Sequence, residues 1–158
     1  MKFSASLDNL VKIITVSCFI LFIAISYFVF ANNQLPLPAL IAIMATLWLT
    51  FILCYLYHPT AYSVIGDSII IHRPISPLVI LRTDLLDIRI PTEAEMRWTI
   101  RTFGVGGLFG YFGKFTNTQL GGMTWYATQR GNYVLLVTKT NRIILTPDSP
   151  EEFLAALR

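Results

Sequence analysis

One segment of the sequence combines residue types that could bind an anion: residues 101–115 hold several glycines bracketed by Arg101 and Lys114. Glycine-rich loops bind phosphate when their backbone N–H groups converge on the anion at the start of a helix, as in the GxGxxG and GxxxxGK[ST] patterns. Neither pattern is present, because a GxGxxG match from Gly104 needs glycine at the position of Phe109, and no Gly-Lys-Ser/Thr triplet follows. The segment is therefore not expected to bind a nucleotide.

The aromatic residues between these glycines favour a packing or binding role over catalysis. Aromatic side chains bury large apolar areas, and together with arginine they are enriched where proteins contact their partners. Two interpretations are open: the rings pack in an irregular connection within the fold or beside helices, or some of them form an exposed anchor for a partner chain or a membrane surface. The candidate binding residues are Arg97, Trp98, Arg101, Phe103, Phe109, Tyr111, Phe112, Lys114 and Phe115. The glycines expected to shape their backbone are Gly104, Gly106, Gly107, Gly110 and Gly113.

Patterns for catalysis or metal binding are weak in the rest of the chain. His58 and His72 have no cysteine or carboxylate at ligand spacing, and each is interpreted as a solvated side chain. Glu93 and Glu95 are expected on a solvated face or loop, with Arg97 as their candidate ion-pair partner. No nucleophile motif is recognisable. The sequence therefore predicts no catalytic residue, no metal site, no cofactor and no small-molecule substrate.

The candidate residues follow two long apolar runs, Val11–Ala31 and Ala39–Tyr57, in a chain that is 54% hydrophobic and only 13% charged. As helices the runs would be roughly 31 and 28 Å long, close to the hydrocarbon thickness of a bilayer. The short, proline-containing segment 32–38 between them makes the two helices antiparallel. A cleaved signal peptide is the alternative for the first run, but a second spanning run follows it at once. We expect residues 1–59 to form a membrane anchor with two transmembrane helices.

The charge of the chain indicates an orientation and excludes one class of partner. A net charge of +3 without a basic cluster is not the footprint of a nucleic-acid-binding protein. Lys2 and Lys12 flank the first apolar run. Arg73 and Arg82 follow the second, whereas the segment between the runs has no basic residue. By the positive-inside rule, we expect a two-pass protein of the cell (inner) membrane with both termini in the cytoplasm.

After the second run the pattern changes to short β-rich runs separated by turn residues, as expected for one domain over residues 60–158. The turn Gly66–Asp67 between two such runs predicts a β-hairpin. Near the end, Ser149 and Glu152 around Pro150 predict a capping box and a short closing helix. The predicted strands are 61–65, 68–73, 78–82, 85–90, 125–128, 133–139 and 142–146.

A meander of about four strands, a second group of about three and a closing helix is the element order of a pleckstrin-homology-like split barrel. The chain resembles the bacterial PH-domain family, in which a version preceded by two membrane helices is a known arrangement. The most specific parts of the resemblance are residues 101–115, Gly121 with Tyr126–Thr128, and the ending 146–153. It implies a transmembrane helical hairpin followed by a PH-like split barrel of about seven antiparallel strands and one C-terminal capping helix.

The resemblance implies a functional class rather than an activity, because PH-like barrels host lipid binding, peptide binding and self-assembly. Phosphoinositide-binding PH domains use clustered basic residues in their first hairpin, but segment 63–68 has none. The expected function is a non-enzymatic, membrane-tethered interaction module that binds a protein partner or a second copy of itself. Binding of a membrane surface or lipid headgroup by the aromatic and basic segment is the alternative, and an unidentified enzyme is the third. The expected partners are thus the lipid bilayer and either a homo-oligomer or a membrane protein.

Overall fold

The structure, a computed structural model, describes residues 1–32 and 36–157. Its two long helices are α1, Asn9–Asn32, and α2, Leu37–Tyr57. Both helices are long and apolar enough to cross a membrane, and many of their large apolar side chains are exposed. The predicted turn between them falls partly on residues 33–35, which lie outside the described residues.

The two helices pack against each other through aromatic side chains. The Trp48 ring lies 6.1 Å from the Phe19 ring and 6.4 Å from the Phe22 ring, edge-on to both. The Trp48 indole N–H also donates a hydrogen bond of 3.1 Å to the Ser26 hydroxyl. Such a partner matters, because a buried donor without one costs on the order of 1–3 kcal/mol. These contacts join the middle of α1 to the second half of α2, as in an antiparallel pair.

The chain begins with a strand that the sequence analysis does not predict. Strand β1, Lys2–Ser4, pairs antiparallel with β2, Ala61–Ile65. Three residues are too few to reveal the alternation by which strands are recognised in a sequence. The Phe3 side chain of β1 is buried, with its ring centroid 5.1 Å from that of Phe153 near the C-terminus. The chain therefore enters α1 from the β-rich domain and returns to the same domain after α2.

The described residues contain ten strands arranged in two sheets. The first sheet has the order β1-β2-β3-β4, and the second has the order β5-β9-β10-β8-β7-β6. Among these strands, β8 and β10 pair in parallel and the other pairs are antiparallel. The bounds are β3 Ser68–His72, β4 Leu78–Leu81, β5 Leu85–Arg89, β6 Ile100–Gly106, β7 Tyr111–Asn117, β8 Gly121–Ala127, β9 Val134–Thr138 and β10 Arg142–Leu145.

The predicted fold class is confirmed: two N-terminal helices precede a β-rich domain that ends in a short helix, consistent with a PH-like fold. Each of the seven predicted strands corresponds to a strand of the structure. The structure adds β1, β6 and β7 to them, and it runs β8 parallel to β10 where an antiparallel arrangement is predicted. The boundary between the predicted domains 1–59 and 60–158 stays a prediction, although β1 lies in the first sheet.

The glycine-rich segment forms strands, which corrects its interpretation as an irregular connection. Gly104 on β6 faces Gly113 on β7, and both have positive φ, +109° and +121°. A Cβ added to Gly104 would lie 2.4 Å from the Phe112 carbonyl oxygen, and one added to Gly113 would be equally close to the Phe103 carbonyl oxygen. The two backbones thus approach too closely for any side chain. Because glycines interrupt the alternation of apolar residues, these strands are hard to recognise in the sequence.

Two apolar clusters lie on opposite faces of the second sheet. One lies between the two sheets and includes Phe153 of the last helix. The other lies on the far face and includes Val11, which is fully buried at the start of α1. The first turn of α1 is therefore part of the core of the β-rich domain. The first cluster also contains Phe3, Tyr62, Val64, Ile69, Ile71, Ile80, Val134, Leu136, Ile143, Leu145 and Leu157.

The last helix, α4, Pro150–Ala155, begins where the sequence predicts but without the predicted capping box. Ser149 occupies the N-cap position and Pro150 opens the helix, yet the Ser149 side chain makes no capping hydrogen bond. The Phe153 side chain is fully buried, so α4 closes one end of the core. Packing of this ring, rather than the cap, holds the short helix in place.

The capping box of this protein lies instead in α3, Glu93–Met96. The Thr92 hydroxyl accepts from the Glu95 N–H, and the Glu95 carboxylate accepts from the Thr92 N–H. Glu95 also pairs with Arg89 through two hydrogen bonds of 2.8 and 2.5 Å, which corrects the predicted pairing with Arg97. The hydrogen bonds from Arg89 and Thr92 lower the pKa of the Glu95 carboxyl to about 2.

Candidate functional site

The inner face of the second sheet is only partly covered by the first sheet. Side chains of β8, β9 and β10 on this face lie in the core between the sheets. The register places Phe103 opposite Lys114 and Val105 opposite Phe112, on the same face as Tyr126 of β8. Phe103 is nevertheless 78% exposed. The face of β6 and β7 that continues the core is therefore open.

A groove lies between this open face and the last two turns of α2; we call it the α2 groove. Its volume is about 540 Å³. A second hollow of about 610 Å³ continues from it along β4 and shares Phe103, Thr124 and Tyr126 with it. The α2 groove is mostly apolar, and the side chains that line it include Leu53, Tyr57, Phe103, Val105, Phe112 and Tyr126.

One guanidinium group lies in the α2 groove. The Arg73 guanidinium carbon lies 5.8 Å from the centroid of the Tyr57 ring and 6.0 Å from that of Tyr126, within the range of cation–π attraction. Its Nε donates a hydrogen bond of 2.9 Å to the Ser76 carbonyl oxygen. The ion pairs of the described residues involve other cations, so no carboxylate neutralises Arg73 in this part of the chain. The groove thus combines an apolar wall with one positive charge.

A second cation lies beside the hollow along β4. The Lys114 ammonium donates a hydrogen bond of 2.8 Å to the Thr124 hydroxyl, which also accepts from the Asn141 side-chain amide at 2.6 Å. Thr124 and Asn141 are neutral, and none of the ion pairs among the described residues involves Lys114. The positive charge of Lys114 is therefore held in place without being neutralised.

Phe109 lies at the tip of the turn between β6 and β7 and packs against both long helices. Its backbone N–H donates a hydrogen bond of 3.0 Å to the Thr15 hydroxyl of α1. Its ring lies 5.0 Å from the Phe51 ring, 5.5 Å from the Tyr55 ring and 5.6 Å from the His58 ring. His58 is buried here, which corrects its interpretation as a solvated side chain, and this burial lowers the pKa of its imidazole. Phe109 therefore joins the β-rich domain to the helices.

Three other predicted binding residues are buried: Tyr111, Phe112 and Phe115. The Tyr111 hydroxyl donates to the Asp8 carboxylate at 3.2 Å, and burial together with this charge raises its pKa. The Phe115 ring stacks on the Trp125 ring with centroids 4.5 Å apart. Of the two interpretations of the aromatic segment, packing within the fold therefore describes these residues.

Three more of the predicted residues, Arg97, Trp98 and Arg101, are exposed at the edge of the second sheet, next to Ile100, which is not among the predicted residues. Strand β6 is an edge strand, because it pairs only with β7. On or just before it, Trp98 is 84% exposed and Ile100 is 62% exposed. Arg97 and Arg101 are exposed beside them. We call these four residues the β6 surface.

The sequence analysis misses the residues that complete the α2 groove. In the sequence, Arg73 is noted only as one of the basic residues that indicate the orientation. Tyr57 ends an apolar run, and Tyr126 lies in a predicted strand. These positions are far apart in the chain, and only the pairing of the strands brings them together. The weak signal that could have linked two of them is the arginine at the end of the predicted strand 68–73, which follows the second apolar run.

No metal centre is found among the described residues, since they contain no group of three or more histidine, cysteine or acidic side chains close enough to hold an ion. The predicted glycines lie near the groove and the turn rather than at an anion-binding helix start. Gly107 packs against Ile14 of α1, and Gly110 against the Ala127 carbonyl. These glycines therefore serve close backbone packing.

Comparison with known proteins identifies the family of the β-rich domain. No curated protein and no solved structure matches the chain. A family model described as bacterial PH domain matches residues 60–158, which cover β2 to β10 and α4 and exceed half of the chain. The helices and β1 precede the matched region. The chain therefore belongs to the bacterial PH domain family.

Proposed function

We propose that this protein is a non-enzymatic binding module, anchored by α1 and α2 in the cell membrane, that binds a partner protein through the β6 surface. The observation that carries the proposal is that β6 is an edge strand with the exposed side chain of Ile100 on it and that of Trp98 just before it. Soluble domains usually protect such edges with charge, proline or a covering element, because a free edge recruits further strands. At this edge the protection is by the positive charges of Arg97 and Arg101, which oppose a strand of like charge, and the exposed apolar side chains beside them suit the addition of a strand of opposite charge.

The anchor is supported by the surfaces of the two helices. Tyr27, Phe28 and Phe30 of α1 and Leu49 of α2 are all more than half exposed. In water such a surface would be unfavourable, whereas in lipid it is the expected exterior of a helix. Because β1 precedes α1 and β2 follows α2, both ends of the pair meet one domain. The positive-inside bias then favours the cytoplasm for this domain and both termini.

The charge of the β6 surface favours a partner other than a second copy of the chain. Residues 97–117 contain Arg97, Arg101 and Lys114 but no aspartate or glutamate. Two copies paired through β6 would bring these cations together, which costs binding energy. We therefore infer that the partner is a different protein, and that it presents an extended segment of alternating apolar and acidic residues.

The absence of enzymatic activity is part of the proposal. Among the described residues, the side chains lining the α2 groove include Arg73 and Cys54, but no histidine or carboxylate beside them. A general acid–base pair or an activated nucleophile would need such a neighbour. The groove is therefore suited to binding rather than to chemistry.

Cross-linking in living cells tests the partner site. A photoreactive phenylalanine analogue is placed at Ile100 on β6 in one variant and at Leu86 on β5 in another. Leu86 is the matched control, because it is 66% exposed on the opposite edge strand of the same sheet. We expect a discrete cross-linked product from position 100 and not from position 86, and mass spectrometry then identifies the cross-linked peptide.

Each outcome of this experiment decides a part of the proposal. A product in which an extended, acidic segment of another protein is joined to position 100 supports it. A product that contains only this chain would replace the proposed partner with a second copy. Equal products from both positions, or none from either, would contradict a specific site on β6.

A further inference from the structure

The α2 groove has the chemistry of a site for an amphiphile with a negative headgroup. Its wall is formed by apolar and aromatic side chains from α2, β6, β7 and β8. Its volume of about 540 Å³ lies in the range of small-molecule sites, which are mostly apolar with a few placed polar groups. The polar group that could orient a ligand in this groove is the Arg73 guanidinium, which has no acidic partner among the described residues.

The orientation of Arg73 is set by its neighbours. The centroids of the Tyr57 and Tyr126 rings lie 5.8 and 6.0 Å from the guanidinium carbon, and the Ser76 carbonyl oxygen accepts from Nε. Nη2 donates a further, long hydrogen bond of 3.5 Å to the Ser76 hydroxyl. A guanidinium held in this way loses little freedom on binding and presents its remaining donors to an oxyanion. Phosphate and carboxylate are the groups that such a fork binds best.

The position of the groove beside α2 favours a membrane lipid as the source of that anion. With α1 and α2 in a bilayer, as proposed above, a helix of 21 residues spans the hydrocarbon region almost completely. Its last residue, Tyr57, then lies at the boundary where lipid phosphates are found. Leu53 lies one turn deeper, at the level of acyl chains. The groove therefore continues from the headgroup region into the hydrocarbon beside α2.

We propose that the α2 groove binds one anionic phospholipid, with its phosphate on Arg73 and an acyl chain between α2 and the open face of β6 and β7. Phe103, an exposed ring over the groove, covers the lipid on the side away from α2. The inference depends on the membrane anchor but not on the partner at β6. This site differs from the first hairpin, where the segment 63–68 carries no cation.

Counting bound lipids tests the site. The full chain is purified from membranes in a mild detergent, exchanged into an equal mixture of phosphatidylglycerol and phosphatidylcholine, and examined by native mass spectrometry. We expect one phosphatidylglycerol retained per chain, in clear excess over phosphatidylcholine. Arg73→Gln should reduce this occupancy roughly tenfold or more, as the loss of a charged hydrogen-bonded contact predicts.

Two further variants separate loss of the site from loss of the fold. Arg130→Gln is the matched control, because it makes the same change at an exposed arginine that belongs neither to the α2 groove nor to the β6 surface, and it should bind lipid like the wild type. Val105→Trp leaves Arg73 intact but fills the apolar part of the groove, so it should also lose the lipid. Circular dichroism of each variant verifies that the domain is folded.

The outcomes are distinct. Equal retention of both lipids, or wild-type occupancy in folded Arg73→Gln, would overturn the proposal. If glycerol phosphate displaces the lipid at matching concentration, the site binds a soluble anion and the lipid assignment is wrong. Extraction of the wild-type chain from membranes by alkaline carbonate would instead refute the anchor, which is a separate failure.

Discussion

At the scale of single residues, the same aromatic segment serves two purposes. Phe109 is inserted against Phe51 and Tyr55 of α2, and Tyr111 is buried against Asp8, so these rings attach the domain to the helices. Trp98 and Phe103 are exposed, although they are also aromatic and come from the same stretch of sequence. Composition therefore identifies the segment, but strand pairing decides which ring packs and which ring is available to a ligand.

Truncation of Phe109 should loosen the junction between the domain and the helices. Phe109→Ala removes ring contacts with both α2 and His58, and we expect it to lower the free energy of unfolding by about 2 kcal/mol, less than for a fully buried ring. Phe103→Ala, at an exposed ring of the same type, should change it by less than about 0.5 kcal/mol. Thermal unfolding of the two variants in detergent measures the difference, and equal effects would contradict the packing described for Phe109.

The carboxyl of Glu95 should titrate far below its ordinary range. Its pKa in the folded protein is about 2, below the ordinary value of 4.5, because Arg89 and Thr92 donate hydrogen bonds to the ionised form. A lowered pKa contributes stability that is present above pH 4.5 and is lost as the pH falls through about 2. NMR titration of the side-chain carbon should give this value in the wild type, and Arg89→Gln should move it upward. An unshifted pKa in the wild type would contradict the pairing.

At the scale of secondary-structure elements, the hairpin of β6 and β7 positions every candidate surface. Its tip contacts α1 and α2, its inner face forms the wall of the α2 groove, and its free edge is the β6 surface. Gly104 and Gly113 allow the backbones of β6 and β7 to approach closely at the point where both strands line the groove. One hairpin thus connects the two long helices to both proposed binding sites.

A side chain at Gly104, where the backbones of β6 and β7 approach closely, should disrupt this hairpin. Gly104→Ala places a Cβ against the Phe112 carbonyl oxygen and requires φ of +109°, so we expect a loss of about 3 kcal/mol or more in the free energy of unfolding. Gly122→Ala on β8 is the control, because its Cβ would meet no atom within 4 Å. Chemical denaturation compares the two. Similar stability of both variants would show that the strands do not approach as described.

How well each helix or strand is predicted from the sequence depends on its length and on how regularly its apolar residues recur. The strands β2 to β5 carry clear apolar runs between turn residues, and the two long helices are unmistakable in hydropathy, so their positions are predicted well. The strands β6 and β7 contain glycines where apolar residues would alternate, and β1 is too short for any pattern. The groove depends on contacts between Tyr57, Arg73 and Tyr126, which no local pattern encodes.

At the scale of the whole molecule, the two long helices and the β-rich domain form one interlocked unit. Strand β1 lies in the first sheet before α1 begins, Val11 is buried in the second cluster, and Phe109 packs between the helices. A domain tied to the long helices at three places cannot swing freely on a linker. The α2 groove is consequently held at a constant position relative to α2, as the proposed recognition of a membrane lipid requires.

Loss of the β1 contact should weaken the whole domain rather than the first residues alone. Phe3→Ala removes a buried ring that lies 5.1 Å from Phe153, and we expect it to cost about 3 kcal/mol of unfolding free energy. Lys2→Ala alters an exposed neighbour on the same strand and should have little effect. Thermal unfolding monitored by tryptophan fluorescence distinguishes them. If Phe3→Ala unfolds like the wild type, β1 is not part of the core.

The size of the complex solubilised from native membranes tests most directly whether the β6 surface binds a partner. The wild type, Ile100→Glu and Leu86→Glu are compared after gentle extraction, because the two substitutions place the same charge on opposite edges of one sheet. A glutamate on β6 removes an apolar contact and repels an acidic partner, whereas one on β5 does neither. We predict that the wild type and Leu86→Glu migrate as a complex with a second protein, and that Ile100→Glu migrates as the chain alone. A complex that survives Ile100→Glu, or a wild-type chain that is monomeric without a partner, would contradict the account.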